Sequence, residues 1–195
     1  HKTFKDYLNS KLKLFNELLD YKGNIIFDSK IKQSKIFDKI SLKKRLKKYT
    51  LGNSKSFIKV KSVKKIDQYK KINFSINDKD YSFKTFLIGD IQIKNLIFAI
   101  IAAYLSNIKI SAILKSIHKI KPINGRFEKI GSLKNKAKVI LDYAHTPNAL
   151  ETLIINIKKD FPFSKVSLIF GCGGNRDKDK RSMMGIIANK HCDNI

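Results

Sequence analysis

Val139-Ile-Leu-Asp-Tyr-Ala-His-Thr-Pro-Asn-Ala-Leu-Glu151 and Leu168-Ile-Phe-Gly-Cys-Gly-Gly-Asn-Arg-Asp177 share one pattern: an apolar run stops, and polar or glycine-rich residues follow at once. Each reads as a strand-to-helix junction. In a parallel α/β sheet, ligands bind in the crevice at the carboxyl ends of the strands. Both loops are therefore expected to face one site, and an enzyme is the leading class.

Working outward, the second half reads as strand Phe127 to Ile130, turn Gly131 to Asn135, strand Ala137 to Asp142 and helix Pro147 to Lys159. Thr146 is placed to cap that helix, with Pro147 in its first turn. Strand Val166 to Phe170, the Gly171 to Asp177 loop and a helix from Asp179 to about His191 follow. Strands alternating with helices predict a parallel, Rossmann-like sheet. Asn124-Gly125-Arg126 has the composition of a hinge or domain junction, and the final Asp193-Asn194-Ile195 resembles the opening of another strand.

In the first half, the spacing of Phe4, Tyr7, Leu8, Leu12, Phe15 and Leu18-Leu19 predicts an amphipathic helix. A short strand is expected over 23–28, then a helix from Ser34 to Lys48, with the run Lys43-Lys-Arg-Leu-Lys-Lys48 on its solvated side. From Ser56 to Gly89 the pattern alternates, as antiparallel strands do, with a turn at Asn77-Asp-Lys-Asp80. Ile91 to Asn107 reads as a strongly apolar helix, and Ser111 to Lys121 as another with a serine cap.

Composition narrows the class. The chain has 195 residues, 43% of them hydrophobic, enough for a packed core. Its longest apolar run, near Leu96 to Leu105, falls short of the roughly 20 residues a spanning helix needs. No membrane partner is expected, and the polar amino end lacks the apolar stretch of a signal peptide. Cys172 and Cys192 sit in unlike contexts without disulfide or metal spacing, so a reducing cytoplasm is the expected compartment. The start at histidine and the strand-like end suggest a fragment of a longer chain.

Lys and Arg number 41 against 16 Asp and Glu, a net charge of +25. Such a balance raises a nucleic-acid-binding protein as the competing class. The excess is lysine dispersed along the chain among Ile and Asn, however, which is the mark of a codon bias. Arginine, the better fork for phosphate or carboxylate, stands only at Arg45, Arg126, Arg176 and Arg181. Three of these lie in the motif-bearing half, so no nucleic-acid partner is expected.

The Gly171 to Ser182 stretch lacks the glycine-lysine-serine/threonine spacing of a phosphate-binding P-loop. Its glycines still permit close approach to a ligand at a helix amino end, where an anion is favoured. His145, three residues after Asp142, is placed where a histidine can touch phosphate or metal or can simply be structural. Asn95 can cap locally or meet a ligand edge. His118 and His191 read as surface and helix-end residues.

Taken together, Asp142-Tyr-Ala-His-Thr-Pro with Ala149-Leu-Glu, Gly171-Cys-Gly-Gly-Asn-Arg-Asp with Lys180-Arg, and Gly125-Arg126-Phe-Glu128 resemble the Mur ligases of peptidoglycan synthesis, in particular those that add a diamino acid. The opening His1-Lys-Thr-Phe-Lys-Asp-Tyr-Leu-Asn-Ser-Lys11 is similar to that family's His-x5-Tyr-x3-Lys element. Asn175 departs from the family's usual Asp. Folylpolyglutamate synthases and cyanophycin synthetases carry similar loops and stand as alternatives.

The resemblance implies an α/β chain: the later part of a central ATPase domain, residues 1–124, followed by the start of a Rossmann-like carboxyl-terminal domain, residues 125–195. It implies an ATP-dependent amide ligase with Mg2+ that acts on UDP-MurNAc-L-Ala-D-Glu and a diamino acid through an acyl phosphate, as a cytoplasmic monomer. It matches Lys11 to a carbamylated lysine that ligates Mg2+. Asn95, Arg126, Asp142 and His145 match nucleotide-contacting positions, His145 in a catalytic role, and Arg176 matches the arginine that binds the incoming carboxylate. The family's P-loop would precede His1, and the loop that selects the diamino acid would follow Ile195. The 195-residue chain alone is accordingly expected to form no amide when supplied with ATP, Mg2+ and both substrates. Product detected by chromatography would overturn this.

Overall fold

The computed structural model describes residues 3–52, 55–173 and 179–195. The chain divides into two compact units: His1–Lys84 with Phe98–Ile117, and Thr85–Ile97 with His118–Ile195.

The first unit opens with helix α1 (Phe4–Lys13). Thr3 accepts the amide of Asp6 while Asp6 accepts that of Thr3, a reciprocal cap that satisfies two orphan amides. The predicted helix to Leu19 is not all α. Leu14–Leu18 widens into a π-turn, closed by the Leu19 amide on the Leu14 carbonyl at 2.8 Å. Strand β1 (Asn24–Asp28) buries Ile25 and Phe27 against Leu12 of α1 and Ile40 of helix α2 (Ser34–Lys43), with Leu46 completing the cluster.

The lysine run departs from expectation. Helix α2 ends at Lys43, Arg45 takes a left-handed φ of 53°, and Lys47–Leu51 forms strand β2, parallel to β1. Lys44 is buried, and its Nζ donates to the carbonyls of Asn16 (3.1 Å) and Leu19. A helix end leaves carbonyls without partners, and a cation supplies both hydrogen bonds and favourable charge there. Tertiary demand for that cap overrode the helical reading of the sequence.

Strands β3 (Ile58–Ile66), β4 (Tyr69–Ile76) and β5 (Lys79–Thr85) extend the sheet in the order β1-β2-β3-β4-β5. β3 pairs antiparallel with β4, as alternation predicts, and Asn77 and Asp78 make the expected turn with left-handed φ values. Helix α3 (Asp90–Leu105) is shared: its residues to Ile97 belong to the second unit, and those from Phe98 to the first. Helix α4 (Ile110–Ser116) starts one residue before Ser111, and Lys109 at its cap makes no side-chain bond, so the predicted serine cap is absent. It ends in a 3-10 turn, Ile117–Lys119.

In the second unit, β6 (Glu128–Ser132) and β7 (Lys138–Leu141) form an antiparallel hairpin. The short connection closes with the Leu133 amide on the Ala137 carbonyl, 2.8 Å. The turn expected over 131–135 joins them, and a connection this short suits an antiparallel pair, since a parallel one would need a crossover of a dozen or more residues. Helix α5 (Pro147–Asp160) is capped by Thr146 as predicted, and α6 (Asp179–His191) matches its expected bounds. Among the described residues, the expected strand 166–170 survives as one parallel bridge, Ser167 with Asn194, which confirms strand-like pairing at the chain's end. The core of this unit gathers Phe127, Leu150, Leu153, Ile154 and Met184. No helix of the described residues is long and apolar enough to cross a membrane.

Two neighbouring lysines should separate sharply under urea denaturation. Lys44→Met, which keeps the stem and removes the cap, is expected to cost about 1–3 kcal/mol; exposed Lys43→Met should stay within about 0.5 kcal/mol.

Candidate nucleotide-facing site at the Asp142 to Thr146 loop

The site is built on a strained bend. Gly125 (φ 68°) and Phe127 (φ 46°) both take left-handed conformations, and Phe127 is buried. For a bulky L-residue that region is costly. The bend is held by satisfying its backbone. Glu128 accepts the Gly125 amide (2.7 Å), Asp142 Oδ2 accepts the Phe127 amide (2.8 Å), and the Gln92 side-chain amide donates to the Arg126 carbonyl (2.9 Å). Gly89 (φ 78°) lies against the Phe127 ring, where an added Cβ would sit 2.9 Å from a ring carbon. Any other residue there would meet both strain and collision.

Pinned in this way, Arg126 presents an exposed side chain whose guanidinium carbon stands 4.7 Å from the Tyr143 ring centroid. The Tyr143 ring is in turn 5.0 Å from that of exposed His145. His145 Nδ1 lies 3.2 Å from the Tyr143 carbonyl. A carbonyl only accepts, so this contact places a proton on Nδ1 and leaves Nε2 for a ligand. Thr146 accepts the Ala149 amide (3.3 Å) and starts α5 directly after the histidine. Arg126, the Tyr143 ring and His145 thus form a cationic and aromatic group beside a helix amino end, a chemistry matched to phosphate.

The expected residues divide as follows. Arg126, Asp142 and His145 are brought together, with Asp142 engaged on the Phe127 backbone. Asn95 is exposed on α3, one turn beyond Gln92. Lys11 is exposed in the first unit, its Nζ 5.5 Å from the Tyr7 ring centroid. Arg176 and Asn175 lie outside the described residues. Of the glycine-rich loop, Cys172 packs against the core cluster that Ala144 also meets. Both cysteines are free, and burial pushes the Cys192 thiol up.

The described residues hold no group of three or more His, Cys, Asp or Glu side chains able to bind a metal ion. An ammonium has no lone pair to offer, so Lys11 as it stands does not fit Mg2+. Sequence reasoning missed Tyr143, which sat inside the quoted motif, and Gln92, whose only signal was an amide inside an apolar helix.

These features define a Mur-type ligase fold. Residues 1–103 match the Mur ligase middle domain and residues 125–195 the Mur ligase glutamate ligase domain, and the chain belongs to the Mur ligase family. Over its whole length it is 37% identical to the UDP-N-acetylmuramoyl-L-alanyl-D-glutamate--2,6-diaminopimelate ligase of Rickettsia bellii, covering 40% of that protein. A solved structure of a ligase of the same name superposes on 98% of this chain and 39% of that one, with 23% identity and a TM-score of 0.65. Folylpolyglutamate synthetase from Lactobacillus casei superposes on 97% of this chain and 46% of its own, with 15% identity and a TM-score of 0.72. The two superpositions establish the shared fold. The chain spans about two-fifths of the length of the curated relatives it matches.

Removing the Asp142 carboxylate should expose the cost of the bend. Asp142→Ala is expected to lower stability by about 1–3 kcal/mol, because a buried amide loses its acceptor. Asp142→Asn, which keeps an acceptor oxygen, should lose distinctly less in the same denaturation series.

Proposed function

We propose that the chain is part of an ATP-dependent ligase that joins 2,6-diaminopimelate to UDP-MurNAc-L-Ala-D-Glu. The observation that carries this reading is the Arg126, Tyr143 and His145 group at the amino end of α5, in a chain of this family. The identity to a relative named for that reaction supports the choice of diamino acid. Residues 1–124 would be the later part of the central domain and 125–195 the start of the carboxyl-terminal one, in a cytoplasmic monomer without a nucleic-acid partner.

Bound ATP would supply the phosphoryl group that activates the substrate carboxylate. Arg126 would hold anionic oxygens of the nucleotide with a fork that its stacked position on Tyr143 preorganises. His145 would present Nε2 to the phosphates, as a donor when protonated. Asn95 would meet the adenine edge. Asp142 would act beside them, with one oxygen already fixing the backbone of Phe127. Arg176 would take the carboxylate of the incoming diamino acid, orienting its amine for attack. Lys11 would serve Mg2+ only once carbamylated, which mass spectrometry of the intact protein can detect.

The full-length protein should release ADP and phosphate only when UDP-MurNAc-L-Ala-D-Glu and 2,6-diaminopimelate are both present. Turnover with a folate and glutamate instead would overturn the assignment. Arg126→Leu should raise KM for ATP roughly tenfold, a loss of about 1.4 kcal/mol of binding, while KM for the diamino acid stays unchanged.

A further inference from the structure

The geometry points to Asp160, Asn156 and Gln92 as positioning residues that lock three nucleotide-facing side chains, Asn95, Arg126 and His145, into one rigid frame. This inference rests on the nucleotide reading given above.

The frame has two ties. At the carboxyl end of α5, buried Asp160 accepts the Gly89 amide through Oδ2 at 2.7 Å. One turn earlier, Asn156 Oδ1 accepts the Asp90 amide at 2.7 Å, and its own amide donates to the Thr152 carbonyl at 2.8 Å. Lys159 also pairs with Asp90. These groups take up the first amides of α3, which no intrahelical carbonyl can satisfy. The second tie is Gln92, in the first turn of α3 and three residues before Asn95, donating to the Arg126 carbonyl.

Each tie fixes a different proposed contact. α5 is capped by Thr146, directly after His145, and ends at Asp160. As a continuous helix it transmits the position of the His145 loop to the start of α3 over about 20 Å. α3 carries Asn95, and Gln92 sets Arg126 from the same helix. Residues 89–97 lie in the stretch matched by the middle-domain family model, yet they group with the second unit. The ties account for that grouping. Asp160 itself is buried a helix length away from His145, so its effect on a nucleotide would be exerted through the frame.

The test compares Asp160→Leu with Asp160→Asn in the full-length protein, using ATP and the uridine-linked dipeptide as separately varied substrates. The Leu variant removes the acceptor while keeping the branched shape, and the Asn variant keeps an acceptor oxygen. KM for ATP should rise about tenfold in Asp160→Leu, with KM for the dipeptide unchanged and Asp160→Asn within twofold of the parent. A merely structural role would reduce the active fraction, lowering kcat and leaving KM for ATP where it was; that result overturns the inference. If Asp160→Leu does not accumulate, half-buried Asn156→Leu is read in its place against the same two outcomes. A parent protein that binds no ATP in calorimetry would sink the functional reading, and this inference with it. A parent that binds ATP, with unaltered affinity in the Leu variant, would sink the frame alone.

Discussion

A buried bend in the backbone must have every polar group answered, and the second unit is organised around one such bend. Between Gly125 and Glu128 the chain makes two left-handed residues while burying a phenylalanine. Its amides and carbonyl draw on Glu128, Asp142 and Gln92, which come from three separate parts of the sequence. Among the described residues no buried side-chain nitrogen or oxygen lacks a partner. Satisfying the bend places Arg126 at the surface with its carbonyl held by Gln92. The same bonds bring the start of α3, the end of β7 and the bend into one piece, on which the exposed Arg126, Tyr143 and His145 side chains stand.

Much of this was legible where the physics is local. Thr146-Pro147 announced a helix start because cap and first turn have narrow chemical requirements, and α5 begins there. The alternation from residue 56 onward gave antiparallel strands, since a half-buried strand must repeat every two residues. Arg126 stood out as a rare fork in a lysine-rich chain, and His145 through its junction. What the sequence hid depends on distant partners. Lys44 looked like any solvated lysine of its run and is buried on the carbonyls of Asn16 and Leu19. Asp160 carried no mark of burial in its own neighbourhood, because its partner is 71 residues away.

The large positive charge is handled at the surface. Lys59 with Asp78 and Lys61 with Asp80 are exposed pairs between β3 and the β4–β5 hairpin, where such contacts are worth little and are screened by salt. Lys59 holds the Asp78 carboxyl below its ordinary range, a local effect of one hydrogen-bonded neighbour. Lysine at this density is tolerated because its stem packs along apolar surface while its head stays in water. Lys44 and Lys70 are buried instead, Lys44 enclosed where the Asn16 and Leu19 carbonyls receive it.

The shared helix α3 also sets an order of events at birth. Gly89 leaves the ribosome 71 residues ahead of Asp160, which at cellular synthesis rates of roughly 5–20 residues per second is a wait of about 4–14 s. During that interval the first turns of α3 exist without the carboxylate and amide that later receive them, while the carboxyl-terminal turns can already join the first unit. The nascent chain therefore carries a helix half committed and half waiting, and a chaperone or a translational pause would act most usefully on that span.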